Sequence, residues 1–206
     1  AGCQQLYTIL DVTDQAEKEE LAELCDHQAF IAESPVVLIF CADCQRWLEA
    51  YREAGLSPRD PGLGDALLAM ADALIAAQNV VTAAQALGLG SCYIGDILEN
   101  EEQVRALLAL PEFVFPAALL VIGRPTRQQL ERPKPERVEG RYTVAENRYR
   151  TLSGEELRRM LQGRTGQRSF EDWLKAFCQR KYESAFSREM SRSARRWLEH
   201  FVKEKT

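Results

Sequence analysis

Histidine is nearly missing from this chain: His27 and His200 are the only two among 206 residues. A zinc centre needs histidines or a second cysteine pair near its first pair, so the one ligand-like spacing, Cys41-Ala42-Asp43-Cys44, stands without partners. No unbroken apolar run reaches the roughly 18 residues of a membrane span, and no signal-peptide pattern is visible. The first residue is Ala1 rather than Met, which leaves an upstream targeting segment open. Neither GxxxxGK[ST] nor a strand followed by GxGxxG occurs, which excludes the two common phosphate loops. There is no compact basic stripe interleaved with aromatics, which argues against nucleic acid as a partner. Internal repeats and low-complexity tracts are absent as well.

What is present is ordinary globular composition, 46% hydrophobic and 28% charged, in a chain long enough to bury a core without staples. Six scattered cysteines in such a chain suit a reducing cytoplasm. Cys41 closes the apolar run PVVLIFCA and reads as a buried strand-end residue. Metal or redox use of Cys41 and Cys44 is the competing reading. The net charge of −5 hides an asymmetry: residues 1–100 carry 16 acids against 4 Lys/Arg, and residues 101–206 carry 15 against 22. Docking of the two halves accounts for this, and an anion-binding role of the basic half is the alternative.

Along the chain, LYTILDV, PVVLIFCA, SCYI and FPAALLVIG read as strands, the second and fourth covered on both faces. TDQAEKEELAELC is a helix capped by Asp14. DCQRWLEAYREAG is a shorter helix ended by Gly55. Asp65 to Gly88 reads as one long helix with Asp65 as its cap, so apolar around its circumference that it must be buried on most sides. Its small residues favour a subunit interface over a self-contained core. Asn100 with Gln103 reads as a cap pair, residues 124–150 as an extended arm, and Ser153/Glu156 and Ser169/Asp172 as caps of C-terminal helices. Strands interspersed with helices imply a three-layer α/β or α+β domain.

The stretch GLGSCYIGDI, Gly88 to Ile97, places three glycines between two helices. Such a turn lets backbone N–H groups approach a ligand closely, because no Cβ stands in the way. Tyr93 adds apolar area, which suits a planar heteroaromatic cofactor. A helix C-cap followed by a tight turn is the structural explanation of the same glycines.

AAQNVVTAAQALGLGSCYIGDI, followed by ENEEQVRALLALPEFVFPAALLVIGRP, resembles the core of the FMN-dependent nitroreductase family. AGCQQLYTILDVTD, SPVVLIFCAD, RPKPERV and VAENRY resemble further family segments in the same order, over residues 1–150. The resemblance implies an α+β, three-layer fold with a mostly antiparallel sheet, in an intertwined homodimer with FMN at the interface. Residues 1–150 would form the FMN-binding domain, and 151–206 a helical extension packed on it or on the partner subunit. By residue, it implies that the flavin ring lies against Tyr93, Ile94, Gly95 and Asp96. Ala1, Gly2, Cys3 and Gln5 would be offered toward it from one subunit, with Gln28 as a further contact. Lys134 and Arg137 would face the phosphate and the ring edge, where a cation stabilises the anionic reduced flavin. Arg164 and Arg168 resemble a basic loop that some relatives use for the nicotinamide nucleotide, or they form a solvent-facing linker.

Three departures stand out. The family's Arg-Ser-x-Arg-like phosphate clasp would lie upstream of Ala1. Asp96 stands where many members have Gly, and Cys3 where Asn or Ser is common. The family's chemistry is ping-pong hydride transfer from NAD(P)H through FMN to a small-molecule acceptor such as a nitroaromatic, a quinone or a flavin. The cofactor carries that chemistry, so no catalytic side chain is named. The alternative is a flavin-binding or interaction protein of the same fold without efficient turnover.

Overall fold

The computed structural model describes residues 2–134 and 136–202. Four strands, β1 (Tyr7–Asp11), β2 (Val36–Asp43), β3 (Gly90–Ile94) and β4 (Val114–Gly123), form one sheet in the order β1-β2-β4-β3. Every pairing is antiparallel. β4 alternates its side chains between two apolar clusters, with Leu119 and Val121 in one and Leu120 and Ile122 in the other. That is the period-2 signature of a strand covered on both faces.

The helices are α1 (Gln15–Leu24), α2 (Phe30–Glu33), α3 (Gln45–Glu53), α4 (Leu63–Ala86), α5 (Glu101–Leu107), α6 (Arg127–Glu131), α7 (Gly140–Thr143), α8 (Gly154–Leu161), α9 (Phe170–Lys181) and α10 (Ala185–Val202). α4 supplies Ala73, Ala77 and Ala84 to one face of the sheet, against Phe40 and Leu120. Leu21 of α1, Ile31 of α2, Leu48 of α3, Val104 of α5 and Trp197 of α10 cover the other face. Helix, sheet and helices therefore make three layers.

Local rules account for most boundaries. Asp14 accepts from the Glu17 N–H at 3.0 Å and starts α1. Gly55, at φ +76°, follows α3. α4 ends in a Schellman motif: Leu89 N–H reaches Ala84 O at 2.9 Å, Gly88 N–H reaches Gln85 O at 3.0 Å, and Gly88 sits at φ +73°.

Several expectations need correction. Asp65 is not the cap of α4; it lies one turn inside and its carboxylate accepts from the Gly62 N–H at 2.8 Å. Asn100 does not cap α5 through its side chain. Its backbone is left-handed, at φ 52°, and its amide donates to Leu24 O at 2.8 Å. Residues 124–150 are not wholly extended, since α6 and α7 lie within them.

The largest difference concerns α4. Within one chain only the stripe Ala66, Ala69, Ala73, Ala77 and Ala84 is buried, while Leu67 and Ile75 are 64% and 62% exposed. Small residues let the helix lie close on the sheet, Met70, Val80 and Val81 pack beside them, and Leu67 and Ile75 point away. α4 also has the length and apolarity of a membrane span, with mean hydropathy 1.5 over 18 residues, where no such run was expected. Its alanine stripe and the bond from Leu6 N–H to Asp72 at 3.2 Å bind it into the layered fold instead.

By its contacts the chain forms two compact units, residues up to 126 with those from 189 onward, and Arg127–Arg188. The second unit holds α6 to α9. Ser153 and Glu156 cap α8 reciprocally, Ser169 caps α9, and Arg158 pairs with Glu171 at 2.7 Å. No side chain of α6 to α9 is buried.

Candidate functional site

The glycine-rich stretch forms the edge strand β3 and the turn after it. Gly95 leads into a 3₁₀ turn at Asp96–Leu98, with Leu98 N–H bound to Gly95 O at 3.1 Å. Gly95 has φ −79°, which any residue adopts, and a Cβ built there meets nothing within 4 Å. Neither backbone strain nor crowding within the chain requires glycine at this position. Gly88 differs, because its positive φ is part of the helix stop. Beside Gly95 lies an open hollow of 370 Å³ lined by Leu74, Gln78, Tyr93, Ile94, Gly95 and Ala118. Of these, Ile94 is buried and Tyr93 is exposed.

Gln28 reaches this turn from the far end of α1. Asp26 and His27 both take left-handed backbone, at φ 60° and 55°, a conformation in which Asp and His are enriched. The chain reverses there, and Gln28 N–H binds Ala22 O at 2.9 Å. The Gln28 amide spends its donors within the protein, on Cys25 O at 2.7 Å and Asp96 Oδ2 at 2.5 Å. Beyond Asp96, Glu99 is buried; desolvation first, then the charges of Asp96, Asp26 and Glu189, push its carboxyl up to about 7. Two side chains of α10 fix the end of the turn, Ser193 Oγ and Trp197 Nε1 both donating to Leu98 O, at 2.6 and 3.0 Å.

The other sequence-derived residues lie elsewhere. Ala1 falls outside the described residues. Gly2, Cys3 and Gln5 are exposed and all left-handed, at φ 58°, 59° and 53°. They precede β1, at the opposite edge of the sheet from β3. Three inter-strand steps separate the two edges, roughly 14 Å. Lys134, Arg137, Arg164 and Arg168 are exposed residues of the second unit. Within that unit the arm and the basic loop meet, because a Cβ on Gly163 would come within 2.6 Å of the Glu136 carboxylate. Cys41 and Cys44 are both buried, and burial pushes both thiols up to about 12, which disfavours the thiolate that metal or redox use requires.

Leu74, Gln78 and Ala118 were not singled out from the sequence. Leu74 and Gln78 stand at i and i+4 on α4, so they share a face. Gln78 is one of the few polar positions on a mostly apolar helix, in line with Gln85, and that was the available signal. Ala118 offered none beyond its small size within a buried strand.

Residues 6–124 match the profile described as the nitroreductase family. The chain is 32% identical over 179 residues to a Cr(VI) reductase of Pseudomonas sp. (strain G-1), which covers 83% of this chain and 72% of that protein. It is 36% identical over 149 residues to an oxygen-insensitive NADPH nitroreductase of Salmonella typhimurium, covering 72% and 59%. An FMN reductase of Bacillus subtilis is 32% identical over 133 residues, or 63% of this chain and only 53% of that protein. The chain thus spans about half the length of some relatives it matches. Among solved structures, that of Bacillus megaterium NfrA2 superposes with a TM-score of 0.79 at 27% identity, covering 100% of this chain and 84% of the other. The NADPH:FMN oxidoreductase from Vibrio harveyi complexed with NAD+ gives 0.76 at 25% identity, covering 94% and 82%.

Proposed function

The chain belongs to the nitroreductase family, and from that membership we propose that it is an FMN-dependent NAD(P)H oxidoreductase that reduces nitroaromatics, quinones or flavins as a homodimer. The observation that carries this reading is the turn at Gly95. A glycine that neither φ nor packing demands, set beside an apolar hollow and an exposed Tyr93, leaves a bare peptide face for a flat ring. The residues present therefore fit a flavin.

FMN held there would supply hydride transfer from NAD(P)H to the acceptor, in two half-reactions sharing one pocket. The chain's own residues bind and shield. The backbone of Tyr93, Ile94 and Gly95 offers the face, while Leu74, Ile94 and Ala118 keep water from beneath it. Ala1, Gly2, Cys3 and Gln5 are proposed to close the pocket of a second copy, since the described ones, Gly2, Cys3 and Gln5, precede the strand at the other sheet edge of their own. Lys134 and Arg137 serve as cations for the phosphate and ring edge, and Arg164 and Arg168 for the nicotinamide nucleotide. The outward-facing Leu67 and Ile75 of α4 provide apolar area for dimerisation. Free thiols at all six cysteines accord with a reducing, cytoplasmic compartment.

The test is reconstitution. Protein incubated with FMN and desalted should be yellow, and its flavin absorbance should bleach on adding NADPH or NADH. A yellow sample that never bleaches supports the flavin binder without turnover. A sample that retains no flavin overturns both readings.

A further inference from the structure

Asp96 follows the bare peptide of Gly95 directly, and its carboxylate is not free to swing into solvent. Gln28 holds it at 2.5 Å, and Gln28 is itself anchored on Cys25 O at 2.7 Å, at the end of a turn fixed by two left-handed residues. The ligand of Asp96 is a neutral amide, so the contact fixes the charge without cancelling it. Asp96 in turn acts on the buried Glu99, where after desolvation it is the first of three acids that raise the carboxyl. The field of Asp96 is also felt on the strand beneath the hollow, where it raises the thiol of Cys92, after desolvation.

We propose that the Gln28–Asp96 pair is a specificity device, a fixed negative charge at the rim of the Gly95 turn that disfavours anionic acceptors and extra charge on a bound flavin. It rests on the reading of the hollow as a flavin site. A charge held in place by the fold acts more strongly than a mobile surface carboxylate, because nothing need reorganise when the bound group changes charge. Two-electron reduction at neutral pH leaves the isoalloxazine ring anionic, so such a charge favours the oxidised form. The same field acts on a carboxylate-bearing acceptor and spares a neutral one of the same shape.

The experiment compares wild type with D96N, D96S and D96E, each loaded with FMN. D96N and D96S remove the charge, and D96E keeps it. The charge-removing variants should bind reduced relative to oxidised FMN about tenfold more tightly, read as a rise of about 30 mV in the midpoint potential of the bound flavin. They should also raise the ratio of kcat/KM for 4-nitrobenzoate over 4-nitrobenzamide by about tenfold, while D96E stays with wild type on both measures. Potentials within 10 mV and ratios within twofold, in variants that retain FMN, would overturn the proposal and leave the flavin reading standing. Wild-type protein that takes up no FMN would overturn both.

Discussion

Trp197 donates its indole N–H to the carbonyl of Leu98 at 3.0 Å, tying the last helix to the turn that follows Gly95. Ser193, fully buried, donates to the same carbonyl and accepts from the Glu101 N–H at 2.9 Å. Replacing Ser193 by Ala strands a buried N–H, which costs about 1–3 kcal/mol. Trp197→Phe keeps most of the apolar volume and loses one bond, for about 1–2 kcal/mol. Urea denaturation of S193A should therefore show a lower midpoint with an unchanged slope.

Glu99 makes stability depend on pH in an unusual direction. Its carboxyl is raised from 4.5 to about 7 by burial first and by Asp96, Asp26 and Glu189 after it. The folded protein holds this proton more tightly than the unfolded chain does. The contribution is therefore full below about pH 4.5 and fades as pH rises toward 7, by at most about 1.4 kcal/mol per unit. Glu102 works in the opposite sense, because the Arg192 guanidinium beside it holds its carboxyl down to about 2. That contribution is present above pH 4.5 and lost as pH falls toward 2, and its 48% exposure limits it to about 1 kcal/mol or less. Chemical denaturation from pH 5 to 8 should show stability falling with pH in wild type, with a clearly shallower fall in E99Q.

Whether a feature was legible in the sequence depended on how local its cause is. All four strands were, since each is a short run with β-branched or apolar residues bounded by turn residues. The caps at Asp14, Ser153 and Ser169 were too, because each is settled within four residues. Asn100 failed because its amide goes to Leu24, a partner 76 residues away. α4 was found at nearly its full length, but composition alone said nothing about orientation. Alanine and leucine both count as apolar, and only the sheet decides which of them faces inward. The Gln28–Asp96 bond spans 68 residues and pairs two polar side chains with no local pattern. The resemblance named both residues without linking them.

The two faces of α4 should respond differently to substitution. Ala77 is fully buried between helix and sheet, so Ala77→Leu overpacks that contact and should destabilise by about 1–3 kcal/mol. Ile75 points outward, and in a lone chain Ile75→Glu should stay within about 0.5 kcal/mol. In the proposed dimer the same change buries a carboxylate in an apolar interface. Light scattering should show wild type at twice the chain mass and I75E shifted toward monomer, with FMN retention falling alongside. I75E that remains dimeric and yellow would place the subunit interface elsewhere.

Gly88 and Gly95 make a matched pair, seven residues apart on either side of β3. Gly88 sits at φ +73°, so Gly88→Ala forces a side chain into left-handed backbone and should cost about 1–2 kcal/mol. Gly95 sits at φ −79° with open space above it, so Gly95→Ala should leave stability unchanged or raise it by up to about 1 kcal/mol. If a flavin ring rests on that peptide, the added methyl stands in its place. FMN affinity of G95A should then drop by about tenfold or more, equivalent to about 1.4 kcal/mol of binding. Thermal unfolding and fluorescence titration with FMN, run on both variants, separate the two roles. G88A should lose stability and keep FMN affinity once folded, whereas G95A should keep stability and lose affinity. A G95A protein that binds FMN as tightly as wild type would mean that nothing flat lies against this turn.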